Sequence, residues 1–276
     1  MGDEMRHTLL NLLAAGLLVL APTAAAVEMD MVTLEEVDQT GVAALPSGGG
    51  EQPYEILWDL THGVYLSYQP SGYFSTLTGV LATSGFNMNT TSTGVQNEDL
   101  TQYDVVVINL SSAWYSPYSS EEVDSLVSFV DQGGGLLVMG ANSGCPNGNI
   151  NPVSQAFGTT CGLSSIEPTD LYFTNFISHQ IFEGISTIYY RATGALSCVA
   201  PSVEAAWSPT YSEVMVSLLD PSPPRVVILG TATGLSNNYI GNADNIDFGT
   251  NVFLFLAGWS IPLERTSWGE IKKLDF

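Results

Sequence analysis

Few side chains in this sequence can carry acid–base chemistry. Three histidines occur among 276 residues, and His62 and His179 lie beyond an apolar leader. Either could act as acid, base or metal ligand. Asp59 stands three residues before His62, near enough in sequence to orient an imidazole as a triad carboxylate does. Ser111 and Ser143 are the hydroxyls whose positions suit a nucleophile, which would make a serine hydrolase. The rival reading makes each histidine a core residue satisfied by a backbone hydrogen bond. Asn109, Asn142 and Thr231 add amides and a hydroxyl, and Trp114 and Tyr115 add ring faces, with Tyr65, Tyr118 and Thr233 close by in sequence. Such a set suits a neutral polar ligand such as a sugar. The same residues would also serve to close turns and cover a sheet edge.

Metal and cofactor chemistry has less support. Cys145, Cys161 and Cys198 lack CxxC spacing, so zinc is not expected. Cys145 and Cys161 flank the loop GCPNGNINPVSQAFGTTCG, and a disulfide between them would pin it, leaving Cys198 free. Asp244, Asn245 and Asp247 offer oxygens to calcium without the spacing of an EF-hand loop. As the start of a helix, with Asp244 or Asn245 as N-cap, they need no ion. Asn89 and Asn109 each open a glycosylation sequon. No phosphate cradle is present, because the glycines at 133–135 fall between a helix and a strand. No cofactor is expected.

The elements that must position these groups alternate in kind. EILWDL at 55–60 reads as a strand, 72–84 as a helix stopped by Gly85, and 86–91 as a second strand. YDVVVINL at 103–110 is a continuous apolar run, as in a strand covered on both faces. A helix then opens at Ser119 with acids in its first turn and a stripe of Val123, Leu126, Val127 and Val130. LLVM at 136–139 and RVVILG at 225–230 are further buried strands. Shorter strands are expected at 171–176, 187–195, 203–207 and 213–219, and a final buried helix at 245–258. Strand, helix, strand in succession gives a mostly parallel central sheet with helices on both faces: an α/β, flavodoxin-like, three-layer sandwich. In such sheets ligands gather outside the carboxyl ends of the strands. That rule would bring Asp59, His62, Asn109, Ser111, Asn142, Ser143 and Thr231 to one crevice.

Composition limits the partners. Twenty-eight acidic residues face six basic ones, a formal net charge of −22. Nucleic acid is a poor partner for such a surface, since phosphate binding needs clustered Lys and Arg. The apolar run LLNLLAAGLLVLA at 9–21, followed by PTAAA, reads as a secretory signal peptide over 1–26. It is short for a bilayer span, which takes ~20 residues. Asp3 and Glu4 spoil a basic start that Met5 would restore, so Met5 is the expected initiator. Residues 27–52 read as an acidic, Gly-containing leader, 53–260 as the α/β domain, and 261–276 as a tail. No later stretch reads as transmembrane, and the expected location is secreted, periplasmic or cell-surface.

In order and spacing, WDLTHG, YDVVVI, SSEEVDSLVSFVDQGGGLLVMG, SHQIFEGI, RVVILG and NADNIDFGTNVFLFLAGW resemble the class I glutamine amidotransferase-like fold. The resemblance is to its non-catalytic, ThuA-like branch, over residues 55–259. Enzymes of that fold carry a cysteine nucleophile at a G-x-C-x-G turn. The matching stretch here is Gly140-Ala141-Asn142-Ser143-Gly144, with an amide at its centre, so the resemblance implies no glutamine hydrolysis. His179 matches the position of a histidine in an HPI-x-x-G segment of the ThuA-like branch. The expected function is therefore a non-catalytic binding or interaction module for a sugar or an extracellular protein. The alternatives are a divergent hydrolase built on Asp59, His62 and Ser111 or Ser143, and a structural assembly subunit.

Overall fold

The unbroken apolar runs become the middle of a sheet. In chain order the elements are β1 (Tyr54–Asp59), α1 (Ser75–Thr83), β2 (Phe86–Thr91), β3 (Val105–Asn109), α2 (Ser120–Asp131), β4 (Gly135–Met139), α3 (Asn151–Ala156), β5 (Thr159–Thr160), β6 (Asp170–Phe173), β7 (Asn175–Phe176), β8 (Ile188–Arg191), β9 (Ser197–Cys198), β10 (Val203–Trp207), β11 (Val214–Leu219), β12 (Arg225–Leu229) and α4 (Asn245–Leu256). This computed structural model describes residues 53–259, apart from 64, 66, 111–113, 167–169, 209–211 and 220–223. The expected signal peptide, leader and tail, and Ser111, lie outside the described residues.

Eight strands form the main sheet in the order β2-β1-β3-β4-β12-β11-β10-β7. The pairs from β2 through β12 are parallel, and β11, β10 and β7 extend the sheet antiparallel. The parallel half has the flavodoxin-like strand order. Side chains alternate between two buried faces. Trp58, Val107, Leu137 and Val227 pack with Leu77 of α1 and Val252 of α4. Leu57, Val106, Val138 and Ile228 pack with Leu126 of α2 and Val153 of α3. Helices thus cover both faces, which completes the three-layer sandwich.

Local chemistry sets the helix ends. Ser119 accepts from the Glu122 amide at 3.3 Å, and Glu122 Oε2 accepts from the Ser119 amide at 2.8 Å. This reciprocal capping box fixes the first turn of α2. Gly85, at φ +85°, follows α1 in a conformation side chains resist.

Two expectations are corrected. The apolar stretch at 171–176 is two strands: β6 pairs with β8 in a separate ribbon, while β7 pairs with β10 at the main sheet's edge. Neither Asp244 nor Asn245 caps α4 with its side chain. Asp244 Oδ2 instead accepts from the Ser186 and Thr187 amides at 2.8 and 2.9 Å. Asn245, fully buried, takes the Tyr189 amide and donates to the carbonyls of Tyr189, Gly234 and Tyr239. Both residues tie β8 to α4. Among the described residues no three His, Cys, Asp or Glu side chains gather as metal ligands would, and no helix is long and apolar enough to cross a membrane.

Candidate functional site

The chain leaves β1 toward β2 on one side and returns to β3 on the other. This reversal of strand order falls at the carboxyl ends of β1 and β3, where open α/β sheets place their ligands. The described residues there are the turn after β1 and residues 114–119.

Asp59 and His62 do not pair. Asp59, 5% exposed, ends β1 and gives its carboxylate to the Tyr118 hydroxyl at 2.6 Å and the Thr61 amide at 2.8 Å. The three-residue spacing fails because Asp59 closes the strand and His62 lies beyond the turn. Burial raises the Tyr118 phenol well above its usual range, and the Asp59 charge adds to this. That phenol is a pure hydrogen-bond donor here. His62 lies 2.8 Å from the Ser116 carbonyl through Nδ1 and 2.8 Å from Glu122 Oε1 through Nε2. Its ring stacks on Tyr118 with centroids 3.8 Å apart. Burial pushes the Glu122 carboxyl up, but the bonds from the Ser119 amide, His62 and the Ser119 hydroxyl outweigh it and hold the group below its usual value. With Asp59 and His62 committed to other partners, the Asp59–His62 catalytic pairing is absent.

The remaining predicted residues mostly brace the loops. Asn109 donates to the Tyr68 carbonyl at 2.8 Å and accepts from the Leu110 amide at 2.8 Å. Thr231, fully buried, donates to the Arg191 carbonyl and accepts from the Thr233 amide. Ser143 is exposed and shares a 2.8 Å bond with Ser165 Oγ, a hydroxyl and not a base. His179 sits elsewhere. It accepts from the Ile181 amide and meets Phe255 edge-on at 4.9 Å. Phe255 neighbours Leu256, whose carbonyl is bonded by Arg225 at the start of β12. His179 therefore belongs to the opposite end of the sheet from the carboxyl ends of β1 and β3.

The stretch 140–144, which the sequence resemblance set against an amidotransferase turn, follows β4. The Asn142 amide donates to the Ala192 carbonyl at 3.2 Å. Its φ is not among the positive values that mark a strained nucleophile turn. The turn is held by Asn147, which sequence reasoning missed. Asn147 accepts from the Ala141 amide at 2.9 Å and donates to the carbonyls of Ala141 and Asn142 at 3.1 and 2.8 Å. Gly162 makes room for it: a Cβ there would lie 2.1 Å from the Asn147 amide nitrogen. The Asn-Gly at 147–148 signalled a turn, but not that its side chain would face inward.

The expected Cys145–Cys161 disulfide is absent, and all three cysteines are free. Asn151 grips Cys161 by both backbone groups, and the buried thiol is pushed up to about 12. Cys145 Sγ instead points at the Tyr65 hydroxyl, 3.8 Å away.

What faces outward is aromatic. Trp114 is 94% and Tyr115 51% exposed, and the Tyr115 ring lies so close over Gly63 that a Cβ there would meet it at 2.4 Å. Tyr65, Tyr68 and Tyr73 follow in successive ring contacts of 6.4 and 5.2 Å. Burial raises the Tyr68 phenol to about 12, with Tyr73, Tyr239, Tyr65 and Cys145 adding to the shift. Tyr239 accepts from Arg191 at 2.7 Å. Tyr65 was among the candidate rings, but Tyr68, Tyr73 and Tyr239 escaped notice because no periodicity links them. A separate groove of about 790 Å³ runs between α2 and residues 95–104 and reaches Gly133 and Arg225, at the amino ends of β4 and β12.

No protein-family model matches the chain, and no curated protein does. Solved structures do match. The N-terminal domain of mmIFT52 aligns at 15% identity with a TM-score of 0.63, covering 75% of this chain and 100% of that one. A cytoplasmic protein from Salmonella typhimurium aligns at 13% identity and a TM-score of 0.54, covering 73% and 98%. A putative ThuA-like protein from Bacteroides uniformis ATCC 8492 aligns at 13% identity and 0.52, covering 77% and 95%. At these identities the likeness concerns the fold alone. The architecture is that of ThuA-like domains, the amidotransferase-like α/β fold to which WDLTHG, YDVVVI and RVVILG pointed.

Proposed function

We propose that this chain is an exported, non-catalytic binding module whose site is the aromatic rim at the carboxyl ends of β1 and β3. One observation carries the reading: Asn142, an amide with no nucleophilic chemistry, stands where the enzymes of this fold keep cysteine, in a turn fixed by Asn147. Asp59 and His62 support it, since both brace loops. The exposed rings and phenol hydroxyls favour a neutral sugar, which takes stacking and neutral hydrogen bonds together. Export rests on the apolar run at 9–21, with the leader at 27–52, the domain at 53–260 and the tail at 261–276. The likeness to a unit described as an N-terminal domain is in keeping with a module.

The test is calorimetric titration of neutral oligosaccharides (maltoheptaose, cellohexaose and mannohexaose) into the full chain and its Trp114→Ala variant. Binding to one of them, weakened at least about tenfold by the variant, supports the reading; a tenfold loss corresponds to 1.4 kcal/mol. The variant's melting point should match wild type, because so exposed a ring contributes little to folding. Concentration-dependent self-association without sugar binding would favour an assembly subunit.

A further inference from the structure

Hydrogen-bond counting fixes the protonation of the pair beneath the rim. The Ser116 carbonyl can only accept, so His62 Nδ1 carries a proton. Nε2 faces Glu122 Oε1 at 2.8 Å, and Glu122 Oε2 already accepts from the Ser119 amide and hydroxyl. One proton must therefore lie between Nε2 and Oε1. With Glu122 ionised, His62 is an imidazolium. The pair is buried, its side chains 10% and 7% exposed. Tyr118 lays the face of its ring on the imidazolium, and Asp59 fixes that ring by accepting from its hydroxyl. The titratable groups around His62 are thus Glu122 from α2, Tyr118 from the segment before it, and Asp59 from β1. The two described arginines are engaged elsewhere, Arg191 with Tyr239 and Arg225 with Leu256.

These contacts tie the turn after β1 to residues 115–122: His62 to Ser116 and Glu122, Asp59 to Tyr118, and Gly63 under Tyr115. We infer that the His62–Glu122 pair is a pH-sensitive latch that holds the rim segment bearing Trp114 and Tyr115 against the turn after β1. When His62 gives its second proton to solvent, a lone pair faces a buried carboxylate across 2.8 Å. A buried charge that loses its partner is strongly unfavourable, so the segment parts from the turn. As regulation of the rim, the latch rests on the proposed binding function; as a structural device it is read without any ligand.

The experiment follows imidazole ¹⁵N resonances of the full chain from pH 5 to 10, alongside the tryptophan fluorescence lost in a Trp114→Phe variant. His62→Gln assigns the resonances. At pH 6 both His62 nitrogens should be protonated, and the Trp114 signal should change in step with loss of the second proton. In Glu122→Gln, which removes the buried carboxylate, the Trp114 signal should lose its pH-dependent step. A neutral His62 ring at pH 6 overturns the latch, even if neither variant folds. So does a Trp114 signal that ignores the His62 titration. Oligosaccharide titration on both sides of the step separates the two ideas. A responsive rim that binds no sugar leaves the latch standing and removes the binding reading. Equal sugar affinity on both sides of the step keeps the binding reading and removes the latch as a regulator of the rim.

Discussion

Replacing Asn147 tests whether its side chain, and not the glycine-rich backbone, holds the turn after β4. Its carboxamide accepts from the Ala141 amide at 2.9 Å and donates to the Ala141 and Asn142 carbonyls at 3.1 and 2.8 Å. Asn147→Ala leaves the buried Ala141 N–H without an acceptor, which costs about 1–3 kcal/mol. The Asn142 carbonyl suffers less, because it still accepts from the Cys145 amide. A total of about 3 kcal/mol would lower the melting point by roughly 6–12 °C for a domain of this size. Asn147→Asp has nearly the same shape but should be worse at neutral pH. It keeps the acceptor for Ala141 and sets a second, anionic oxygen against two carbonyl oxygens. Protonation would restore one donor, so the folded state raises this carboxyl's pKa above its unfolded value. Its stability should then be greatest in acid and fall as pH rises through the folded pKa. Thermal melts of both variants at pH 5 and pH 7 decide the matter. An aspartate variant less destabilised than the alanine variant at pH 7 would refute the reasoning.

Three further outcomes are expected. Asn142→Cys should release no ammonia from glutamine, because His62 remains bound to Glu122 and Ser116; ammonia above the wild-type level in a coupled assay would contradict the site geometry. Thiol titration of the unfolded, unreduced chain should find all three cysteines, and reductant should leave the melting point unchanged; a count of one would restore the disulfide. Burial pushes the Asp244 carboxyl up, but bonds from Ser186 and Thr187 outweigh it and hold the group below 3.8. Its contribution is therefore present above the unfolded value and lost as pH falls through the lower folded one. Urea midpoints of Asp244→Asn between pH 2 and pH 7 should show a flatter acid limb than wild type.

Legibility in the sequence followed the range of the interactions. The runs that became β3, β4 and β12 were readable because a strand buried on both faces has no polar positions. The start of α2 was readable because a capping box is spelled within four residues. The site was not, because its bonds are long-range. Asp59 meets Tyr118 across 59 residues and His62 meets Glu122 across 60, while the short Asp59-to-His62 spacing suggested a pair that does not form. Glu122 could be read as a first-turn acid, but not as a histidine's partner. Cys145 and Cys161 flank one loop, yet Asn147 and Asn151 organise it from within. Proximity in sequence was no guide to the direction of either thiol.

The two described arginines have a consequence for the folded domain's exposure to proteases. Residues 53–259 contain no lysine, and their arginines are Arg191 and Arg225 alone. Arg225 is bonded to the Leu256 and Gly133 carbonyls, and its backbone begins a strand paired on both sides. Arg191 is held by Tyr239, and its carbonyl accepts from Thr231. A protease must draw a cleavage segment into extended form, away from such partners. The folded domain therefore gives trypsin-like enzymes only two targets in about two hundred residues, an exposed one at Arg191 and a partly buried one at Arg225, and amine-directed labels reach no side chain there. Resistance of the folded domain to basic-specific proteases would then come from this sparse placement of cations, with no cross-link needed.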